Sequence, residues 1–155
     1  MKLALDTNVL GYAAGIGDDG ARREQALELL RRIADEELVL PTQVAGELYN
    51  ILTRKGGHPP KVAREIVRKW ADEIGLTAPS SATMNAALEG AAFFNLQIWD
   101  ALILTIAADA GCALLLSEDM QDGFVYRGVT VANPFAETPH PLLASLLETL
   151  LETLP

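Results

Sequence analysis

Near the start of the chain stands Lys2-Leu3-Ala4-Leu5-Asp6-Thr7-Asn8. A short apolar run that ends on an acid reads as a buried strand with a carboxylate at its exit. The pattern recurs downstream. Residues 38–40 and 76–78 are further short strands. Residues 113–116 are another, with Asp119 close behind, and in residues 128–132 Val129 and Val131 alternate.

Helical spacing fills the intervals. Ala26, Leu27, Leu30, Ile33 and Ala34 mark a helix over residues 21–35. Thr42, after Pro41, is placed to N-cap a helix running to about residue 53. Val62, Ile66, Trp70 and Ile74 stripe a helix over 61–74, and Gly56, Gly57, Pro59 and Pro60 break the chain before it. Ser80 or Ser81 caps another helix that Asn95 interrupts, and the next covers about 97–110 with Gly111 as its stop. Residues 11–20 read as loop, ending in an Asp18-Asp19-Gly20 turn. Strands alternating with helices over short connections imply an α/β fold: one α/β/α sandwich, its central sheet parallel and helices on both faces.

That domain covers residues 1–135, and a tail covers 136–155. Pro139 and Pro141 mark a break, after which Leu142, Leu143, Leu146, Leu147, Leu150, Leu151 and Leu154 form a broad apolar stripe. A leucine-rich helix of this kind must bury its stripe, either on its own domain or on another molecule.

At 155 residues the chain has the length of one domain, and half of it is hydrophobic. A chain of this size buries roughly 70% of its unfolded surface. Cys112 is the single cysteine, so no intramolecular disulfide or zinc spacing arises, which fits a reducing cytoplasm. Met1 to Leu5 runs straight into Asp6 and Asn8, unlike a secretory leader. The most apolar window, residues 98–116, carries Asp100, Asp109 and Gly111 and is not a membrane span. A net charge of −9 argues against nucleic acid at first sight. Yet Arg54, Lys55, Lys61, Arg64, Arg68 and Lys69 supply half of the 12 Lys and Arg residues, against Glu65 alone. An acidic protein with one basic strip, and a cation in an acid pocket, can still hold a polyanion.

Asp6 and Asp119 each follow a strand, so in a parallel sheet both stand at the carboxyl edge, where ligands bind. Val44, Glu47, Leu48 and Ile51 follow i, i+3, i+4, i+7, which sets Glu47 within an apolar stripe. Burying an unpaired carboxylate costs several kcal/mol. A metal ion resolves that cost, and a rim position reaching solvent is the alternative. Asp100 falls in the first turn of its helix among Trp99, Ala101, Leu102, Ile103 and Leu104, as a site acid or as a plain helix-start acid. Asp109 lies on the far side of that helix and is excluded.

Jointly these residues resemble the PIN-domain family, and especially the toxin ribonucleases of VapBC toxin–antitoxin pairs. The resemblance rests on Leu5-Asp6-Thr7-Asn8-Val9-Leu10, Gly46-Glu47-Leu48, Trp99-Asp100-Ala101-Leu102-Ile103 and Leu116-Ser117-Glu118-Asp119-Met120-Gln121-Asp122. It implies an acidic quartet of Asp6, Glu47, Asp100 and Asp119. Asn8 and Ser117 are polar partners in it, and Asp122 assists or replaces Asp119. It further implies RNA as substrate, products with 5′-phosphate and 3′-hydroxyl ends, an antitoxin protein as partner, and a homodimer.

Oxygen donors without histidine or cysteine select Mg²⁺ or Mn²⁺ over zinc. The basic residues Arg54, Lys55, Lys61, Arg64 and Arg68 are the candidates for RNA contact. A phosphate-handling pocket of haloacid-dehalogenase or response-regulator type needs a later lysine, and none follows Lys69. A non-catalytic RNA- or protein-binding module of the same fold and a DNA nuclease stay open as alternatives.

Overall fold

The computed structural model describes residues 1–17 and 20–152, without the side chain of Leu150. The expected turn at Asp18-Asp19, the Leu150 side chain and Leu154 lie outside the described residues. In chain order the elements are β1 (Lys2–Leu5), α1 (Thr7–Ala13), α2 (Gly20–Arg32), β2 (Glu37–Pro41), α3 (Thr42–Arg54), α4 (Pro60–Ile74) and β3 (Leu76–Thr77). They continue with α5 (Ser81–Phe94), α6 (Ile98–Asp109), β4 (Leu114–Leu116), β5 (Val125–Tyr126), β6 (Val129–Ala132) and α7 (Pro141–Glu152).

One sheet holds the six strands in the order β3-β2-β1-β4-β6-β5. β1 pairs in parallel with both β2 and β4, and β4 pairs in parallel with β6. β5 turns back antiparallel on β6. Leu3, Ala4 and Leu5 of β1 and all of β4 are fully buried, as central strands covered on both faces must be. α6 is apolar almost all round because it packs two ways. Ile103, Leu104 and Ala107 join the main core. Ala101, Leu102 and Ile106 meet Ala87 of α5 in a second cluster.

The chain lays β2 and β3 on one side of β1, then crosses to β4 on the other. That reversal opens a crevice at the carboxyl ends of β1 and β4. Every candidate acid stands after one of these strands or on a helix that begins near this edge.

The structure departs from the sequence reading at several places. Residues 11–13 are helical, not loop: Asp6 caps α1 by accepting the Thr7 amide at 2.8 Å. Gly11 is there for space. A Cβ on it would meet Ile51 Cδ1 at 2.7 Å, so the glycine lets α1 close on α3. Pro41 takes the N-cap position of α3 in place of Thr42, which is the first helical residue. Along α4 the buried stripe is rotated: Ala63 is buried, while Val62 is 43% exposed. β5 lay outside the expected strands, being two residues long.

Ser80 caps α5 in a reciprocal capping box with Thr83. Asn95 ends that helix in the left-handed region at φ 53°. Burial pushes the Cys112 thiol up to about 11, so it stays protonated. No helix among the described residues is long and apolar enough to cross a membrane.

The tail docks on its own domain through Leu143 and Leu146, both buried in the main core. Arg32 of α2 ties it down by donating to the Leu147 carbonyl at 2.5 Å. Leu142 and Leu151 stay exposed. Leu143→Ala empties a fully buried site and is expected to cost about 2–5 kcal/mol of stability. Denaturant unfolding measures it, and a loss near zero would show that α7 is dispensable to the core.

Candidate active site

Asp6 leaves β1 at the crevice, with its amide donating to the Leu116 carbonyl of β4 at 3.0 Å. Its side chain is 6% exposed and accepts two hydrogen bonds. One comes from the Thr7 amide at 2.8 Å, the other from Ser117 Oγ at 2.7 Å. Burial pushes its pKa up to about 6 against the pull of those two donors, and the charges of Glu47 and Asp100 add to the rise.

Glu47 of α3 is half-buried, and Thr7 Oγ1 donates to it at 2.6 Å. The partner that the sequence reading did not find for this glutamate is thus the hydroxyl next to Asp6. Asp100, in the first turn of α6, has its own amide capped by Gln97 Oε1 at 3.0 Å. Its pKa is raised by burial first, then by Glu47 and Asp119. Asp119 is exposed and lines, with Glu47, a cleft of about 400 Å³ between α1 and α3. Asp6, Glu47, Asp100 and Asp119 therefore feel one another's charge at a single sheet edge.

Asn8 and Ser117 both border these acids. Ser117 is buried; beyond Asp6 it accepts the Met120 amide at 3.3 Å. Asn8 Oδ1 accepts the Glu118 amide at 3.5 Å, while its Nδ2 is buried without a hydrogen-bond partner among the described residues. Asp122 is engaged elsewhere, accepting the Asn133 amide at 2.8 Å beyond β6. Asp109, excluded from the sequence, accepts from Thr83 Oγ1 at 2.8 Å and pairs with Arg127.

A second set of residues escaped the sequence reading. Tyr12 donates to Glu118 at 2.5 Å, and Arg22 forms an ion pair with the same carboxylate at 3.2 Å. The Arg22 guanidinium lies 4.8 Å from the Phe135 ring centre, and Phe135 meets Tyr12 edge-on. The hydrogen bond to Glu118 pushes the Tyr12 phenol up to about 12. This group braces the turn that carries Asp119. Glu118 lies inside the quoted acidic motif, and that position was the available signal.

The donors suit a hard divalent cation, being carboxylate and amide oxygens with no histidine or cysteine lining the cleft. Among the described residues no three acids are drawn close enough to enclose an ion. Asp6 and Asp100 are each raised by neighbouring carboxylates, the electrostatic condition that a cation relieves. A larger hollow of about 730 Å³ lies at the opposite end of the sheet, between Leu27, Leu38 and Trp70, and contains none of the four acids.

Of the basic residues, Lys55 borders the cleft and Arg54 closes α3 beside it. Lys61, Arg64 and Arg68 lie exposed on α4, and the last two share Glu65.

A mostly parallel α/β sheet with carboxylates gathered at its switch point defines a class of acid-pocket proteins. Within that class, the PIN domain family pattern matches residues 3–122, and the chain belongs to that family. Among solved structures, VapC20 of Mycobacterium tuberculosis, a sarcin-ricin loop cleaving toxin, is similar at a TM-score of 0.63 and 20% identity. The match covers 76% of this chain and 89% of that one. VapBC2 from Rickettsia felis, bound to a DNA fragment from its promoter, is similar at a TM-score of 0.58 and 16% identity, covering 77% and 89%. No curated protein matches the chain significantly.

The raised pKa of Asp6 has a definite sign in stability. Below pH 3.8 the carboxyl is protonated folded or unfolded, and the contribution is intact. Between 3.8 and about 6 the unfolded chain gives up the proton that the folded one keeps, so stability falls as pH rises. Asp6→Asn should flatten that fall and, without metal, stabilise the protein at pH 7 by up to about 3 kcal/mol. Thermal melts across this range measure it. An equally steep fall in the variant would locate the cost elsewhere.

Proposed function

We propose that this protein is a metal-dependent endoribonuclease that hydrolyses RNA phosphodiester bonds, and that it is the toxin of a toxin–antitoxin pair. The observation that carries this reading is the carboxylate of Asp6 at the crevice between β1 and β4, destabilised first by burial and then by Glu47 and Asp100. Family membership supports a nuclease, and the similarity to two Vap structures supports the toxin role.

Asp6, Glu47, Asp100 and Asp119 would hold Mg²⁺ or Mn²⁺. Such an ion, when bound, activates water and stabilises charge on the phosphate oxygens. The protein's own groups do the positioning. Ser117 Oγ and the Thr7 amide fix the Asp6 carboxylate, and Thr7 Oγ1 orients Glu47. Asn8 Nδ2 is buried beside the acids without a hydrogen-bond partner among the described residues. Asp122 anchors the loop after β6 through one oxygen, and its other oxygen would assist Asp119.

The reaction leaves a 5′-phosphate and a 3′-hydroxyl. The protein works as a cytoplasmic homodimer restrained by an antitoxin. Arg54, Lys55, Lys61, Arg64 and Arg68 form the track for the RNA backbone.

Asp6→Asn should abolish RNA cleavage in Mg²⁺ or Mn²⁺ while the circular dichroism spectrum stays that of the parent. Cleavage by this variant at the parental rate would sink the assignment. Replacing Arg64 and Arg68 by Ala should weaken RNA binding and reduce the slope of log K against log salt by about 1 per cation. An unchanged slope removes α4 from the RNA path.

A further inference from the structure

The cleft beside the acids extends well past them, and its far part has no role in holding a cation. α1 contributes Asn8, Gly11 and Tyr12 to it, and α3 contributes Glu47, Asn50 and Ile51, with Lys55 at its C-cap. Both sets follow i, i+3, i+4 spacing, so each helix turns one continuous face toward the gap. From Glu47 to Lys55 the α3 face runs about 12 Å, away from the carboxylates and toward a single cation.

The chemistry changes along that length. At one end stand Glu47 and Asp119. In the middle the walls are Ile16 and Ile51, with Tyr12 at the side. Ile16 is held in place because a Cβ on Gly56 would lie only 2.6 Å from its Cδ1, so the glycine makes room for it. Asn50 is exposed on the rim with a free-standing donor and acceptor pair, and Lys55 closes the far end. Asn8 Nδ2 is buried at the acid end without a hydrogen-bond partner among the described residues. About 400 Å³ is at the small end of ligand clefts, too little for a helix or a strand pair.

An apolar slot with an amide at its rim, an acid pocket at one end and an ammonium at the other matches one nucleotide of an extended strand. Single-stranded RNA is read by splaying bases onto apolar or aromatic walls and hydrogen-bonding their edges. We propose that this cleft binds the nucleotide next to the scissile phosphate and sets the base preference of the enzyme. The base lies against the apolar wall of Ile16 and Ile51, with its edge on Asn50. Lys55 takes the next phosphate outward. The proposal rests on the ribonuclease reading, since it places the base relative to that reaction.

The test uses the full-length protein and a short single-stranded RNA carrying 4-thiouridine, irradiated with EDTA present so that no cleavage occurs. Mass spectrometry of the crosslinked peptides should place the base on residues 8–16 and 47–55. Asn50→Trp, a change at an exposed helix position that fills the slot, should lower the crosslink yield about fivefold or more, the loss of one stacked base. In parallel, a randomised RNA pool cut by the parent and by Asn50→Ala should show a changed base preference at one position beside the cut. Crosslinks confined to other surfaces, or a yield and a base preference unchanged in both variants, would overturn the subsite even if the pool is cut. Crosslinks in the cleft with a pool that stays intact would uphold nucleotide binding and overturn the ribonuclease reading instead.

Discussion

Asp6 sits 6% exposed where β1 and β4 end, and an ionised carboxylate in such a place needs compensation. Two donors supply part of it, the Thr7 amide and the Ser117 hydroxyl, and each belongs to a segment leaving one of the two strands. The pairing of β1 with β4 and the capping of α1 therefore depend on the same side chain. Glu47 and Asp100 then work against that compensation. The fold holds a carboxylate at this point despite the electrostatic cost, which is how functional sites differ from structural ones.

The surrounding polar groups are arranged around this tension. Thr7 caps nothing with its hydroxyl and spends it on Glu47, linking α1 to α3. Glu118 is ion-paired with Arg22 and accepts a hydrogen bond from Tyr12, which offsets its charge and fixes the turn before Asp119. Gly11 and Gly56 allow α1, α3 and Ile16 to approach closely, so the cleft next to the acids has firm walls. A rigid rim around an over-charged centre is the arrangement expected of a preorganised site.

Much of this was legible in the sequence, and the limits are physical. The strands β1 and β4 could be read, with Asp6 and Asp119 behind them, because an apolar run with an acid at its exit has few other meanings in an alternating chain. α1 was hidden by Gly11, which looks like a turn residue until the contact with Ile51 shows why a side chain does not fit. Val62 was assigned inward because periodicity gives a stripe but not its rotation, and Ala63, too small to stand out, is the buried residue. Asp122 reads in the sequence as an acid that assists or replaces Asp119, and only the folded loop shows it bound to the Asn133 amide. The Arg22–Glu118 pair spans 96 positions and has no local signature in the chain.

Titration of the metal-free protein with Mn²⁺, followed by electron paramagnetic resonance, addresses the central claim without depending on any substrate. The parent should bind Mn²⁺ at pH 7, Mg²⁺ should compete for it, and Asp6→Asn and Asp100→Asn should each weaken binding at least about tenfold. Parent and variants that take up the ion equally, or a parent that takes up none, would contradict a divalent cation site at the carboxyl edge of β1 and β4.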